Sequence, residues 1–268
     1  MVRKCFVFLL ICMLGSLNLM AAHTTKKIIA HRGLSGSYPE NTLIAFKEAL
    51  RTQALFLELD IHLSKDQKVV VMHDEDLSRT TNGRGLIRDY TLAELKKFSA
   101  GYSKQFGDQF SSEKIPTLLE VLELLEPSDK SLLIEIKSHD DDPDYNNRIV
   151  GPIVYQTVMK PYSHLKNRLA FISFNVSILE SIRELDSEVR LGPIFNAMPK
   201  TGSLADQALR LKSDIVIFSK KLLLLPKVFQ KTNQVKHFVY TVDPKEFNYV
   251  ETIEDLYGYA TNYADQLE

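Results

Sequence analysis

From residue 27 onward, short apolar runs alternate with stretches whose apolar positions recur every three to four residues. The first pattern reads as strand and the second as helix, and their alternation predicts parallel strands joined by helical crossovers. Nine strand segments stand out, at 27–30, 55–61, 69–72, 132–136, 169–173, 189–194, 214–218, 237–241 and 257–260. An eight-stranded (β/α)8 barrel has one fewer. The surplus has a local explanation, because only Ser64-Lys65-Asp66-Gln67-Lys68 separates the second and third runs, which suits a hairpin and is too short for a crossover helix. With the turn centred on Asp66-Gln67, facing residues have numbers that sum to 133, and Asp60 stands opposite His73. The expected fold class is therefore α/β, a (β/α)8 TIM barrel whose second strand overshoots the rim and folds back antiparallel.

Helical patterns fit between the strands. Pro39-Glu40 opens a helix that runs through Arg51, and residues 117–125 and 176–185 carry apolar positions at helical spacing. Residues 75–115 have no strand–helix–strand logic, although Thr91-Leu92-Ala93-Glu94 is a capping box that starts a short helix. This stretch reads as a small insertion over the C-terminal face of the barrel.

Composition changes the picture mainly at the N-terminus. The chain has 268 residues, 44% of them hydrophobic and 25% charged, with a formal net charge of −1, which describes a globular protein. No basic excess exists to meet a nucleic-acid backbone. Arg3 and Lys4 precede an apolar run from Cys5 to Leu14, and small residues follow at Ala21 and Ala22. This is the layout of a secretory signal peptide over 1–22, with 23–268 as the barrel domain. A retained membrane anchor and lipidation at Cys12 are the competing readings. After removal of the signal, 31 basic side chains face 34 acidic ones and no cysteine remains, so an exported, periplasmic or secreted enzyme would rest on its core alone, without a membrane span.

In a barrel of this kind the chemistry sits where strands end. The strand ends read His31-Arg32-Gly33, Glu58-Leu59-Asp60 and Glu135-Ile136-Lys137. Alternation puts Glu58 with Asp60 on one face, and Glu135 with Lys137, while Leu57, Leu59, Ile61, Ile134 and Ile136 point the other way. Three carboxylates beside one lysine repel each other unless a cation sits among them. Oxygen ligands without cysteine point to one divalent cation, Mg²⁺ or Ca²⁺. A salt-bridge layer inside the barrel is the alternative reading of the same residues. His31 and His73 suit general acid and base roles, and Arg32 and Lys137 supply positive charge for a phosphate group. Gly33 lets the backbone turn at once.

The strings His31-Arg32-Gly33, Pro39-Glu40-Asn41-Thr42, Glu58-Leu59-Asp60, Val71-Met72-His73-Asp74, Ile115-Pro116-Thr117-Leu118 and Glu135-Ile136-Lys137 resemble the glycerophosphodiester phosphodiesterase family, in that family's order. The match runs from His31 to Lys137, with a looser fit beyond. The resemblance implies metal-dependent hydrolysis of a small-molecule glycerophosphodiester to glycerol 3-phosphate and an alcohol. It implies a divalent metal at Glu58, Asp60 and Glu135, acid–base catalysis by His31 and His73, phosphate contacts from Arg32 and Lys137, and support from Asn41. Residues 75–115 would be the family's insertion.

Two late segments depart from the family pattern. Tyr240-Thr241-Val242-Asp243 stands where the family has Trp-Thr-Val-Asn, and Thr261-Asn262-Tyr263-Ala264 where it has Thr-Asp-x-Pro. These departures touch the alcohol accepted rather than the chemistry. Among the remaining features, His62 reads as a solvated hairpin histidine, Asp140-Asp141-Asp142-Pro143-Asp144 as a solvated loop, and Leu222-Leu223-Leu224-Leu225 as core or packing surface. The rival activities are a phospholipase D- or C-like phosphodiesterase, or a non-catalytic exported binding protein on the same barrel. Oligomeric state is not legible in the chain.

Overall fold

A computed structural model describes residues 26–139, 146–225, 228–229 and 234–267. The 1–22 segment and the Asp140–Asp144 run lie outside the described residues.

All nine strand segments form. They are β1 (Lys27–Ala30), β2 (Phe56–Leu63), β3 (Val69–Val71), β4 (Ser131–Ile136), β5 (Leu169–Ser173), β6 (Arg190–Phe195), β7 (Ile215–Ser219), β8 (Lys236–Tyr240) and β9 (Leu256–Thr261). Hydrogen-bonded neighbours run β1-β9-β8-β7-β6-β5-β4-β2-β3, and a β1–β2 pairing closes the ring. Among the described residues eight strands are parallel, and only β3 lies antiparallel, on β2. Helices flank the barrel, among them Leu43–Ala49, Leu118–Leu125, Asn147–Tyr162, Val176–Arg183 and Leu204–Arg210. No helix among the described residues is long and apolar enough to cross a membrane.

Strand alternation divides the apolar residues between two layers. Leu57, Leu59, Ile61, Ile134 and Ile136 pack outward against the helices, whereas Ile29, Leu133, Ile172, Ile194, Ile217 and Phe238 fill the barrel interior. The same alternation leaves the charged strand-end residues at the mouth, above that inner layer.

The hairpin exists, with a register one step from the expected one. Ile61 faces Val71 and Leu63 faces Val69, so facing numbers sum to 132, and the backbone that meets Asp60 is that of Met72 (N–H to O, 2.9 Å). The cause is Gln67, whose φ of 57° adds a left-handed residue to the turn and makes the loop Lys65-Asp66-Gln67 rather than two residues. The far edge of β3 is covered, as Val71 N–H donates to Pro116 O at 2.8 Å.

Three helix ends also differ. The first helix starts at Leu43, with the Thr42 hydroxyl accepting from Ala45 N–H, and not at Pro39, and it ends at Ala49 rather than Arg51. Asn41 at φ 59° and Arg32 at φ 55° hold residues 31–42 in a tight non-helical turn, closed by Asn41 N–H to Arg32 O at 3.0 Å. The helix expected over 176–185 ends at Arg183. Within residues 75–115, Thr91 and Glu94 form the expected capping box on Leu92–Leu95. Met72, Leu77, Ile87, Leu95 and Ile115 give this stretch a small apolar cluster separate from the barrel's. The Leu222–Leu225 run is split: Leu222 is buried, but Leu224 is 82% exposed.

Candidate active site

The sequence-predicted residues converge at the C-terminal end of β1, β2 and β4. Glu58, Asp60 and Glu135 are buried, with one oxygen from each within 4.8 Å of the others. Asp60 and Glu135 are register partners across β2 and β4. Lys137 bonds Asp60 Oδ1 at 2.7 Å and also Glu135, and Arg32 Nε lies 3.3 Å from Asp60 Oδ2. Asn41 donates from Nδ2 to Asp60 Oδ2 at 2.8 Å and accepts from Asp60 N–H at 3.3 Å, so its supporting contact is to Asp60 on both sides.

The electrostatics are uneven. Burial would raise Asp60, but Lys137 and Arg32 outweigh it and hold the carboxyl below its ordinary range. Glu58 is pushed well above that range, by burial first and then by Asp60 and Glu135. Burial also raises Glu135. Oxygen Oε1 of Glu58 is buried without a hydrogen-bond partner. A buried carboxylate oxygen left unpaired beside two further carboxylates fits an oxygen-seeking divalent cation. The salt-bridge reading accounts for Lys137 and Arg32, but leaves Glu58 Oε1 unmet.

Both histidines present one free ring nitrogen. His31 Nδ1–H donates to Asn262 Oδ1 at 2.7 Å, leaving Nε2 unprotonated, 3.9 Å from Glu58 Oε2. Burial, then the Arg32 charge, pushes His31 down to about 3. His73 Nδ1–H donates to Asp74 Oδ1 at 2.6 Å, and burial lowers His73 as well. The two rings line one cavity of about 140 Å³, floored by Ile29, Ile172 and Ile217 and flanked by Phe174 and Tyr240.

Several residues at this site escaped the sequence reading. Asp74, behind His73, is held by Arg79 Nε at 2.5 Å, and Arg79 also grips Glu40 through two bonds of 2.8 Å. Glu40 had a signal as a helix opener and as part of the Pro39-Glu40-Asn41-Thr42 string, with no role attached, and Arg79 had none. Asn262 was visible only as a departure from the family pattern. His62 is corrected outright: it is 5% exposed, not solvated, and its Nε2 donates to the His73 carbonyl at 3.0 Å. Burial pushes it down to about 4.

A parallel barrel with an acidic cluster, paired imidazoles and two cationic side chains in one small mouth defines a hydrolase for phosphate esters. The chain belongs to the glycerophosphoryl diester phosphodiesterase family, whose profile matches residues 31–259. It is 35% identical over 224 residues to a glycerophosphodiester phosphodiesterase of Caldanaerobacter subterraneus subsp. tengcongensis, covering 82% of this chain and 86% of that one. Among solved structures it resembles an Oleispira antarctica phosphodiesterase in complex with the product sn-glycerol-3-phosphate (TM-score 0.73, 28% identity, 90% of this chain and 94% of that chain). A glycerophosphodiester phosphodiesterase from Thermotoga maritima is similar (TM-score 0.68, 29% identity, 89% and 95% covered). The chain is thus an enzyme, a glycerophosphodiester phosphodiesterase, on a TIM barrel.

Proposed function

We propose that the enzyme hydrolyses glycerophosphodiesters to glycerol 3-phosphate and an alcohol, with His31 and His73 moving protons and Glu58, Asp60 and Glu135 holding one Mg²⁺ or Ca²⁺. The observation that carries the reading is the pair of free Nε2 atoms around one small cavity that Glu58 and Glu135 also line, with Asp60 within 4.8 Å of both. The product bound to the Oleispira antarctica relative supports the same chemistry.

When bound, the cation supplies charge neutralisation for the phosphoryl oxygens and acidifies a neighbouring hydroxyl. Asn41 and Lys137 orient Asp60, and Arg32 and Lys137 supply positive charge for the phosphate. One imidazole takes a proton from the attacking oxygen as the phosphorus–oxygen bond to the alcohol breaks. The other, entering the step as the imidazolium with a second proton on Nε2, gives that proton to the departing alcohol. Overall, the hydroxyl of one water ends on phosphorus and its proton on the alcohol. The apolar floor of Ile29, Ile172 and Ile217 suits the carbon skeleton of glycerol. The same proposal takes 1–22 as a signal peptide and places the mature enzyme in the periplasm or outside the cell.

The test is release of glycerol 3-phosphate from glycerophosphocholine, with chelator and then metal added back. Chelation abolishes turnover and Mg²⁺ or Ca²⁺ restores it. His31→Ala and His73→Ala each lose on the order of 10²–10⁴-fold in kcat while still binding metal. Substantial activity in either variant would sink the assignment.

A further inference from the structure

His62, His139 and Glu75 come from three separate segments and form a chain of contacts that ends on the backbone of His73. His62 lies on β2, His139 follows β4, and Glu75 follows His73 by two residues. His62 Nε2 lies 3.0 Å from the His73 carbonyl oxygen, His62 Nδ1 lies 3.4 Å from His139 Nε2, and His139 Nδ1 lies 2.6 Å from Glu75 Oε2. His139 is itself tethered, its N–H donating to Asn147 Oδ1 at 3.1 Å. The polarity of the chain follows from its ends. The carbonyl accepts, so His62 donates through Nε2 and its Nδ1 is bare; the His139–His62 contact is then a hydrogen bond when His139, which donates to Glu75 through Nδ1, carries its second proton on Nε2 beside that carboxylate.

This chain meets the polypeptide where the ladder stops supporting it. β3 ends at Val71, and the last β2–β3 backbone bond is Met72 N–H to Asp60 O at 2.9 Å. One residue further on, the His73 carbonyl is held by the His62 ring. That carbonyl belongs to the peptide joining His73 to Asp74, and Asp74 holds the His73 ring by its Nδ1. Fixing this peptide plane therefore fixes the direction of the imidazole and of its carboxylate partner together.

We propose that His62 is a positioning residue that sets the His73 imidazole for proton transfer, with His139 and Glu75 holding His62 in its donor orientation. The inference rests on the catalytic role assigned to His73 above. His62 is neither a member of the acidic triad nor itself a lining residue of the cavity, and it meets the site through the His73 backbone, so its removal affects the chemical step and not substrate capture.

The test compares His62→Leu with His62→Gln, whose amide N–H reaches about as far as imidazole Nε2, in the glycerophosphocholine assay. Rates are normalised to the folded fraction from urea titration, and Mg²⁺ and Ca²⁺ affinities are measured alongside. His62→Leu lowers kcat by about 10- to 100-fold, the scale of a misplacement near 1 Å, with KM and cation affinity within about twofold of wild type. His62→Gln recovers kcat to within about threefold. If His62→Leu fails to fold, Glu75→Gln tests the same chain at a position that is half exposed, and it lowers kcat at unchanged KM. Unchanged kcat in the folded Leu variant overturns the proposal. So does a Gln variant as impaired as Leu, a loss confined to KM or metal affinity, or, where Leu does not fold, an unaffected Glu75→Gln. His73→Ala separates this inference from the reading beneath it: if that variant turns over, the role of His73 fails, and if it is dead while His62→Leu is normal, only the positioning role fails.

Discussion

Glu40 accepts from Arg32 at 3.0 Å and from Arg79 through two bonds of 2.8 Å, which makes one carboxylate the link between the two halves of the site. Arg32 faces Asp60, and Arg79 holds the Asp74 that orients His73. Replacing Glu40 by Gln leaves two guanidinium groups without their shared counter-charge. Glu40→Gln is expected to lower kcat/KM by about 10- to 100-fold, as misplaced catalytic groups do, while the barrel stays folded. Steady-state kinetics beside circular dichroism checks this, and wild-type kinetics would rule it out.

Asp74 offers a pH test of stability. Arg79 and His73 outweigh the effect of burial and hold its carboxyl down to about 2. Its unfolded value is about 3.9. A carboxyl depressed on folding contributes stability that is fully present above the unfolded value and disappears as pH falls through the folded one. The wild-type advantage over Asp74→Asn in urea midpoint should therefore be constant from neutral pH down to about 4, then shrink towards about pH 2. An advantage that persists undiminished at pH 2 contradicts the ion-pair account.

The acidic triad predicts stabilisation by metal. A cation that binds only the folded chain adds about 2.7 kcal/mol at a concentration 100 times its Kd. Thermal melts with Mg²⁺ or Ca²⁺ should show a rise in Tm for wild type and a smaller one for Glu58→Gln, which replaces one of three carboxylates by a neutral amide. Identical shifts in both proteins would place the cation elsewhere.

Gly33 carries the turn that brings Arg32 to Asp60. Its φ is 76°, and a Cβ there would stand 2.7 Å from the Ala45 carbonyl carbon. Gly33→Ala should cost about 1–3 kcal/mol from the backbone conformation alone, before any movement of the helix. For a chain of this size each kcal/mol lowers Tm by about 2–4 °C. A calorimetric Tm equal to wild type would refute the steric argument.

The strands were legible because parallel-barrel strands need continuous apolar runs, and the charges interrupting them at Glu58, Asp60, Glu135 and Lys137 could only point into the mouth. What stayed hidden depends on distant or unusual partners. The hairpin register turns on Gln67, a residue type that seldom announces a left-handed conformation. The helix start moved because Asn41 is left-handed too, and Pro39-Glu40 looks the same in either case. Arg79 meets Glu40 across 39 positions, and His62 meets His139 across 77, separations that no local pattern encodes.

One histidine stands on the closed ring, and the other on a side branch that is joined to the ring by three residue pairs and has its own apolar cluster. Every strand of the ring is paired on both sides, whereas the branch is held by a three-pair ladder on one side and the Val71–Pro116 bond on the other, fewer bonds to open. Warming should therefore silence the enzyme before it denatures, with turnover fading reversibly at temperatures where far-ultraviolet circular dichroism is still that of the native barrel. Coincident loss of both signals would mean that ring and branch melt as one unit. Durability of this catalyst is then decided at the branch, and substitutions that brace the branch extend its working range further than equal gains in the ring.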